Sequence, residues 1–204
     1  MENKENIEDL YFTICHDAFA WVHQAEIHLI PAKIIHQELM SILHKHQDIP
    51  DELTNKVSGL IGSYMLLISL SFENLIKGLI ISNKPDFIKI SDLKKYKWDS
   101  LGGHGIVDMI EHNFKQLDTD ELDLIERLQT YLIWAGKYQM PTSPDKYVKS
   151  RLPKNRELFK ENDNIVADGL FDKIRKQTEL IWKKNQSIFY KWKDEYYANK
   201  YNTD

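Results

Sequence analysis

VSGLIGSYMLLISLSFENLIKGLIIS, residues 57–82, is the stretch whose reading decides the fold. Leu60, Ile61, Tyr64, Leu67, Ile68, Phe72, Leu75, Ile76 and Leu79 recur at helical spacing and leave almost no polar side. A helix that is apolar nearly all round belongs in the middle of a bundle. Its small residues, Ser58, Gly59, Gly62, Ser63, Ser69, Ser71 and Gly78, are expected to let neighbouring helices approach closely. A membrane span is the rival reading. Only sixteen uncharged residues run between Lys56 and Glu73, fewer than the ~20 a bilayer core requires. Glu73 and Lys77 then sit four apart, placed to pair on one helical face. The expectation is a buried central helix and no membrane partner.

The rest of the chain reads as helices packed around that one. Residues 5–30 carry a broad apolar stripe through Leu10, Ile14, Phe19, Trp21, Val22, Ile27 and Leu29, and Pro31 is expected to break or kink the helix there. A second piece, 33–45, resumes the pattern. Asp51 or Thr54 is expected to cap the central helix. A lysine- and aromatic-rich connection follows, with a short extended piece expected at Phe87, Ile88 and Ile90. Helices are predicted over 106–115 and from Thr119 to Trp134, with Gly136 as a stop. The stretch 137–164, with Pro141, Pro144 and Pro153, reads as irregular. From Ile165 to Tyr201 the pattern predicts one long helix, with Phe171, Ile174, Thr178, Ile181, Asn185, Ile188 and Trp192 as its seam. The fold class is all-α, a single domain: a bundle core over 1–141, a connection over 142–163, and a C-terminal helix over 164–204 packing on the bundle or on a dimer partner.

The bulk composition agrees with that class. The 204 residues are 42% apolar and 28% charged, with only 8 Gly and 6 Pro, unlike a many-turned β protein. The single Cys15 makes no internal disulfide, and the N-terminus carries no secretion pattern, so a cytoplasmic protein is expected. The net charge of −4 is unevenly spread: residues 1–53 sum to −7 and residues 137–204 to +5. An acidic front and a basic back favour head-to-tail contact within the molecule or between subunits, or a polyanion on the basic end.

No complete catalytic or metal motif is present. Six of the eight histidines fall in the first 46 residues. His16 and His23 share a helical face, and His23 with Glu26 has i, i+3 spacing. The order His-x-x-Glu is the reverse of the helical-bundle metal motif, so surface or capping histidines are expected, with no metal and no cofactor. Cys15 and His16 are adjacent on a helix and point apart, which excludes a dyad. Gly102-Gly103-His104-Gly105 lacks the Walker and dinucleotide patterns and reads as a flexible turn before a helix. The last helix interleaves bases with aromatics, and Lys183, Lys184, Lys191, Trp192 and Lys193 are its candidate nucleic-acid face. The same pattern also describes an amphipathic helix with a solvated lysine side.

Three segments, SLSFENLIKGLII (69–81), GHGIVDMI (103–110) and YLIWAGKYQMP (131–141), taken in that order, resemble a bacterial branch of HEPN-like helical bundles. The resemblance covers residues 57–141. It implies an up-and-down bundle, homodimeric in many members, from a group that includes RNases of defence and toxin–antitoxin systems and binders of nucleotide or RNA. Active members carry Arg followed by four to six residues and His. Arg127, Arg151, Arg156 and Arg175 have no such His, so the RNase mechanism does not transfer. By position the resemblance implies a polar pocket of Glu73, Asn74, Lys77, His104, Trp134, Lys137 and Tyr138; a buried polar brace is the alternative use of the same groups. The functional expectation is non-catalytic binding of RNA or nucleotide by a homodimer. The alternatives are a divergent RNase around Glu73, Lys77 and His104, a metal-dependent enzyme, and a regulatory bundle with a protein partner.

Overall fold

The computed structural model describes residues 2–84, 98, 104–135 and 159–201. Among them are six α-helices, α1 (Glu2–Cys15), α2 (Ala18–Leu43), α3 (Asp51–Asn83), α4 (Ile106–Asn113), α5 (Thr119–Thr130) and α6 (Asp163–Tyr201), and one π-helical turn, Tyr131–Ala135, that prolongs α5. The protein is an all-α up-and-down bundle around a buried central helix.

Helix α3 is that centre. Tyr64, Met65, Ile68, Phe72, Leu75, Ile76, Leu79 and Ile80 are almost completely buried, each large apolar side chain contributing about 1.5–3 kcal/mol by leaving water. By length and composition alone α3 could cross a membrane, but 78% of its most apolar window is buried inside the protein. It runs antiparallel to α2: Ser71 Oγ donates to the Ala25 carbonyl at 2.8 Å, Lys56 pairs with Glu38 at 2.7 Å, and Gly78 lies against Ala18. It runs parallel to α6, where Phe171 packs edge-on to Phe72 and Asn185 Nδ2 donates to the Ser82 carbonyl. Helix α5 descends beside α6 and meets α3 through the hydroxyl of Ser69, which bonds the Leu128 carbonyl at 2.9 Å.

Several boundaries differ from the sequence reading. The first break falls at His16–Asp17, where Asp17 accepts from the Phe19 amide and caps α2. Pro31 lies inside α2, which runs unbroken from Ala18 to Leu43. Ala25, Ala32, His36 and Leu39 on its two sides are buried, and that packing offsets the one backbone bond proline removes. Neither Asp51 nor Thr54 caps α3: Pro50 holds the N-cap position without a side-chain bond. The small residues divide in two. Ser69, Ser71 and Gly78 are at helix contacts, whereas nothing lies within 4 Å of the Cβ positions of Gly59 and Gly62, and Ser58 and Ser63 are exposed. The α6 seam holds through Phe171, Ile174 and Thr178 and then drifts to Trp182 and Phe189, leaving Ile188 47% exposed. An α-helix has 3.6 residues per turn, so a 3.5-residue seam cannot stay on one side of a straight helix. The extended piece expected at 87–90 and the stop at Gly136 lie outside the described residues.

Candidate functional site

Glu73 and Lys77 face the same side of α3 because they are one turn apart, and Lys77 Nζ donates to Glu73 Oε1 at 2.6 Å. Their side chains are about nine-tenths buried. A buried carboxylate needs its second oxygen satisfied. His104 supplies that bond, its Nδ1 lying 3.0 Å from Glu73 Oε2 just before α4 begins. A carboxylate only accepts, so Nδ1 is the donor and carries a proton. The imidazole is half exposed. Lys77 Nζ also sits 5.7 Å from the Trp21 ring and 5.4 Å from the Trp98 ring, which meet each other edge to face. Two indole faces and one carboxylate thus surround the ammonium, and each face contributes about 0.5–2 kcal/mol in such a desolvated place.

The structure therefore brings together Glu73, Lys77 and His104 of the expected pocket. Asn74 turns away and bonds its own helix at the Leu70 carbonyl. Trp134 lies in the π-helical turn, and Lys137 and Tyr138 lie outside the described residues. Chemically, a half-exposed imidazole oriented by a carboxylate is one component of a general-base arrangement. Among the described residues no hydroxyl or thiol is bonded to it, and no three His, Cys, Asp or Glu side chains converge as metal ligands. Cys15 is half-buried, and burial pushes its thiol up, away from reactivity.

Two further clusters escaped the sequence. Arg127, 1% exposed, donates to Asp163 through both terminal nitrogens at 2.5 and 2.6 Å and to Asp123 through Nε at 2.9 Å. It ties α5 to the first turn of α6. Asp163, also 1% exposed, accepts from the Lys160 amide as well. At the other end of α6, Asp9 accepts from Lys200 at 2.6 Å and from the Tyr201 hydroxyl. Burial pushes the Asp9 carboxyl up, but these two donors more than compensate and hold it below its ordinary value. The Asp9 contacts join opposite ends of the chain, and Arg127 and Asp163 stand on different helices, so neither contact leaves a local spacing as a sequence signal. The histidines also differ from expectation: His16 and His36 are buried, His16 against Trp192 and His36 against Tyr64 and Phe159.

On α6 the basic residues divide by role. Lys173 pairs with Glu121, Arg175 with Glu26 and Glu179, and Lys200 with Asp9. Lys183, Lys184 and Lys191 are exposed and share one side of the helix with exposed Lys176. Lys191 has Glu195 at 3.9 Å, and Lys176, Lys183 and Lys184 make no ion pair among the described residues. Lys193 is half-buried. Trp192 does not stand free for stacking: it is half-buried, stacks on Tyr196 at 5.5 Å and packs against Phe189 and His16. Comparison of the chain with protein-family models, with curated proteins and with solved structures finds no match.

Proposed function

We propose that this protein is a HEPN-like bundle that binds single-stranded RNA without cleaving it, and that it does so as a homodimer. The observation that carries the proposal is the row Lys176, Lys183, Lys184 and Lys191. These four cations lie on one exposed face over about 22 Å of helix, long enough to follow several phosphates of an extended strand. Support for the HEPN-like reading comes from the meeting of two of its segments, where His104 of the glycine turn bonds Glu73 of the core helix. Support for the dimer comes from apolar side chains left in solvent on single helix faces: Ile7, Leu10, Tyr11 and Ile14 on α1, and Ile27, Ile30 and Ile34 on α2, all between 44% and 64% exposed.

A second reading, a divergent RNase, is favoured by one observation, the half-exposed His104 imidazole held by Glu73. One experiment separates the two. Labelled single-stranded RNA is incubated with the protein at low salt, with and without EDTA, and followed for mobility and length together. The proposal expects retarded, intact RNA in both conditions. Cleavage that disappears in His104→Ala would replace it by the nuclease, and unretarded, intact RNA would remove both.

A further inference from the structure

Away from both the Glu73 cluster and the lysine row, a cavity of about 170 Å³ opens between α2, α3 and the start of α6. Lys33, His36, Tyr64, Ile68, Asn164 and Asp168 are among its walls. His36 Nε2 and the Tyr64 hydroxyl are the two buried side-chain polar atoms without a hydrogen-bond partner among the described residues. Tyr64 is 1% exposed and His36 9%. Native proteins rarely leave such atoms unpaired, because each forfeits its bonds to water with nothing in return. Both atoms belong to residues of one cavity, and that coincidence is what a ligand would resolve. Water alone is the simpler occupant, since the volume equals about six molecules of liquid.

The walls define what larger guest fits. Burial pushes the His36 imidazole down and the Tyr64 phenol up, and Asp163 and Asp168 push the phenol further up. Both groups are therefore neutral, one a fixed hydroxyl donor and the other able to give or accept through Nε2. The two charged wall residues, Lys33 and Asp168, already neutralise each other at 2.9 Å. Asp163, whose charge reaches the same groups, is neutralised by Arg127. A net-charged guest would find no unspent partner. The His36 and Tyr64 rings lie 5.1 Å apart with Phe159 beside both, and Ile68 adds an apolar wall. We infer that this cavity is a binding site for a small uncharged planar molecule with one acceptor and one donor edge, of the size of a single-ring nucleobase or an aromatic amide. It lies roughly 22 Å along α6 from Lys183 and does not depend on the RNA reading.

The test uses the full chain with uracil and nicotinamide as probes, benzoate as the charged control and benzene as the apolar one, followed by titration calorimetry and ligand-observed NMR. Uracil or nicotinamide is expected to bind, with benzoate and benzene at least tenfold weaker. Tyr64→Phe, which removes only the hydroxyl, weakens the bound probe at least tenfold while leaving the unliganded melting temperature equal or higher. Ala167 is also a wall residue, on α6, and Ala167→Met, which fills the cavity from that side, abolishes binding. Absence of binding by both probes at millimolar concentration would overturn the inference in favour of a water-filled cavity. Binding left unchanged by both substitutions would overturn it as well.

Discussion

Arg127 is among the largest side chains fully buried among the described residues, and its charge is answered by a bidentate Asp163 and by Asp123. Taking the ions from water costs several kcal/mol each, and their mutual attraction repays this only while the set is complete. Arg127→Met therefore leaves Asp163 buried and unpaired and is expected to cost about 3–5 kcal/mol. The double change Arg127→Met with Asp163→Leu removes the orphaned charge and should recover most of that loss. Urea denaturation of the two variants beside the wild type checks this, and a single substitution costing under about 1 kcal/mol would contradict it. His36 makes a second prediction at this scale. Its imidazole is held below the ordinary 6.5 by burial, with Asp163 and Asp168 opposing. The unfolded chain then binds a proton that the folded ring refuses, so stability falls as the pH drops below about 6.5. The melting temperature should be lower at pH 5.5 than at 7.5, and His36→Phe should shrink the difference.

The helices themselves test how closely they must approach. A Cβ on Gly78 would meet the Ala18 carbonyl oxygen at 3.1 Å and Trp21 Cβ at 3.3 Å, where α2 crosses α3. The nearest of these is backbone and cannot swing aside, so Gly78→Ala should destabilise despite alanine's better helix propensity. Gly59→Ala and Gly62→Ala, with nothing within 4 Å, should each stabilise by about 0.5–1 kcal/mol. Thermal melts of the three variants give the signs. The existence and order of the helices were legible in the sequence because apolar period and length are local properties. So was the Glu73–Lys77 pair, which needs only helical spacing. The end of the first helix was misplaced at Pro31 because tertiary packing keeps α2 continuous through the proline, whereas the chain breaks at His16–Asp17, where Asp17 caps α2. His104 against Glu73 was reachable only through the order of the resembling segments. Arg127 with Asp163, and Asp9 with Lys200 and Tyr201, were not legible, because no periodicity links residues on different helices. The two indoles around Lys77 were missed for the same reason.

Across the whole molecule, the acidic front and basic back partly satisfy each other: Asp9 holds Lys200 and Glu26 holds Arg175. Among the described residues of α6, Lys176, Lys183, Lys184 and Lys191 form an exposed row on one side of the helix. The dimer proposed for the apolar faces of α1 and α2 predicts that Ile30→Glu with Ile34→Glu, both on solvent positions, shifts sedimentation from dimer to monomer while the helical circular dichroism stays unchanged. A wild-type monomer at tens of micromolar would contradict it. The central claim, RNA contact through the lysine row, is tested most directly by the salt dependence of affinity for single-stranded RNA. Three or four phosphates neutralised by that row give a slope of log K against log salt of about −2 to −3. Lys183→Glu, Lys184→Glu and Lys191→Glu combined should flatten the slope and weaken low-salt binding more than tenfold. An unchanged slope and affinity in the triple variant would contradict the account.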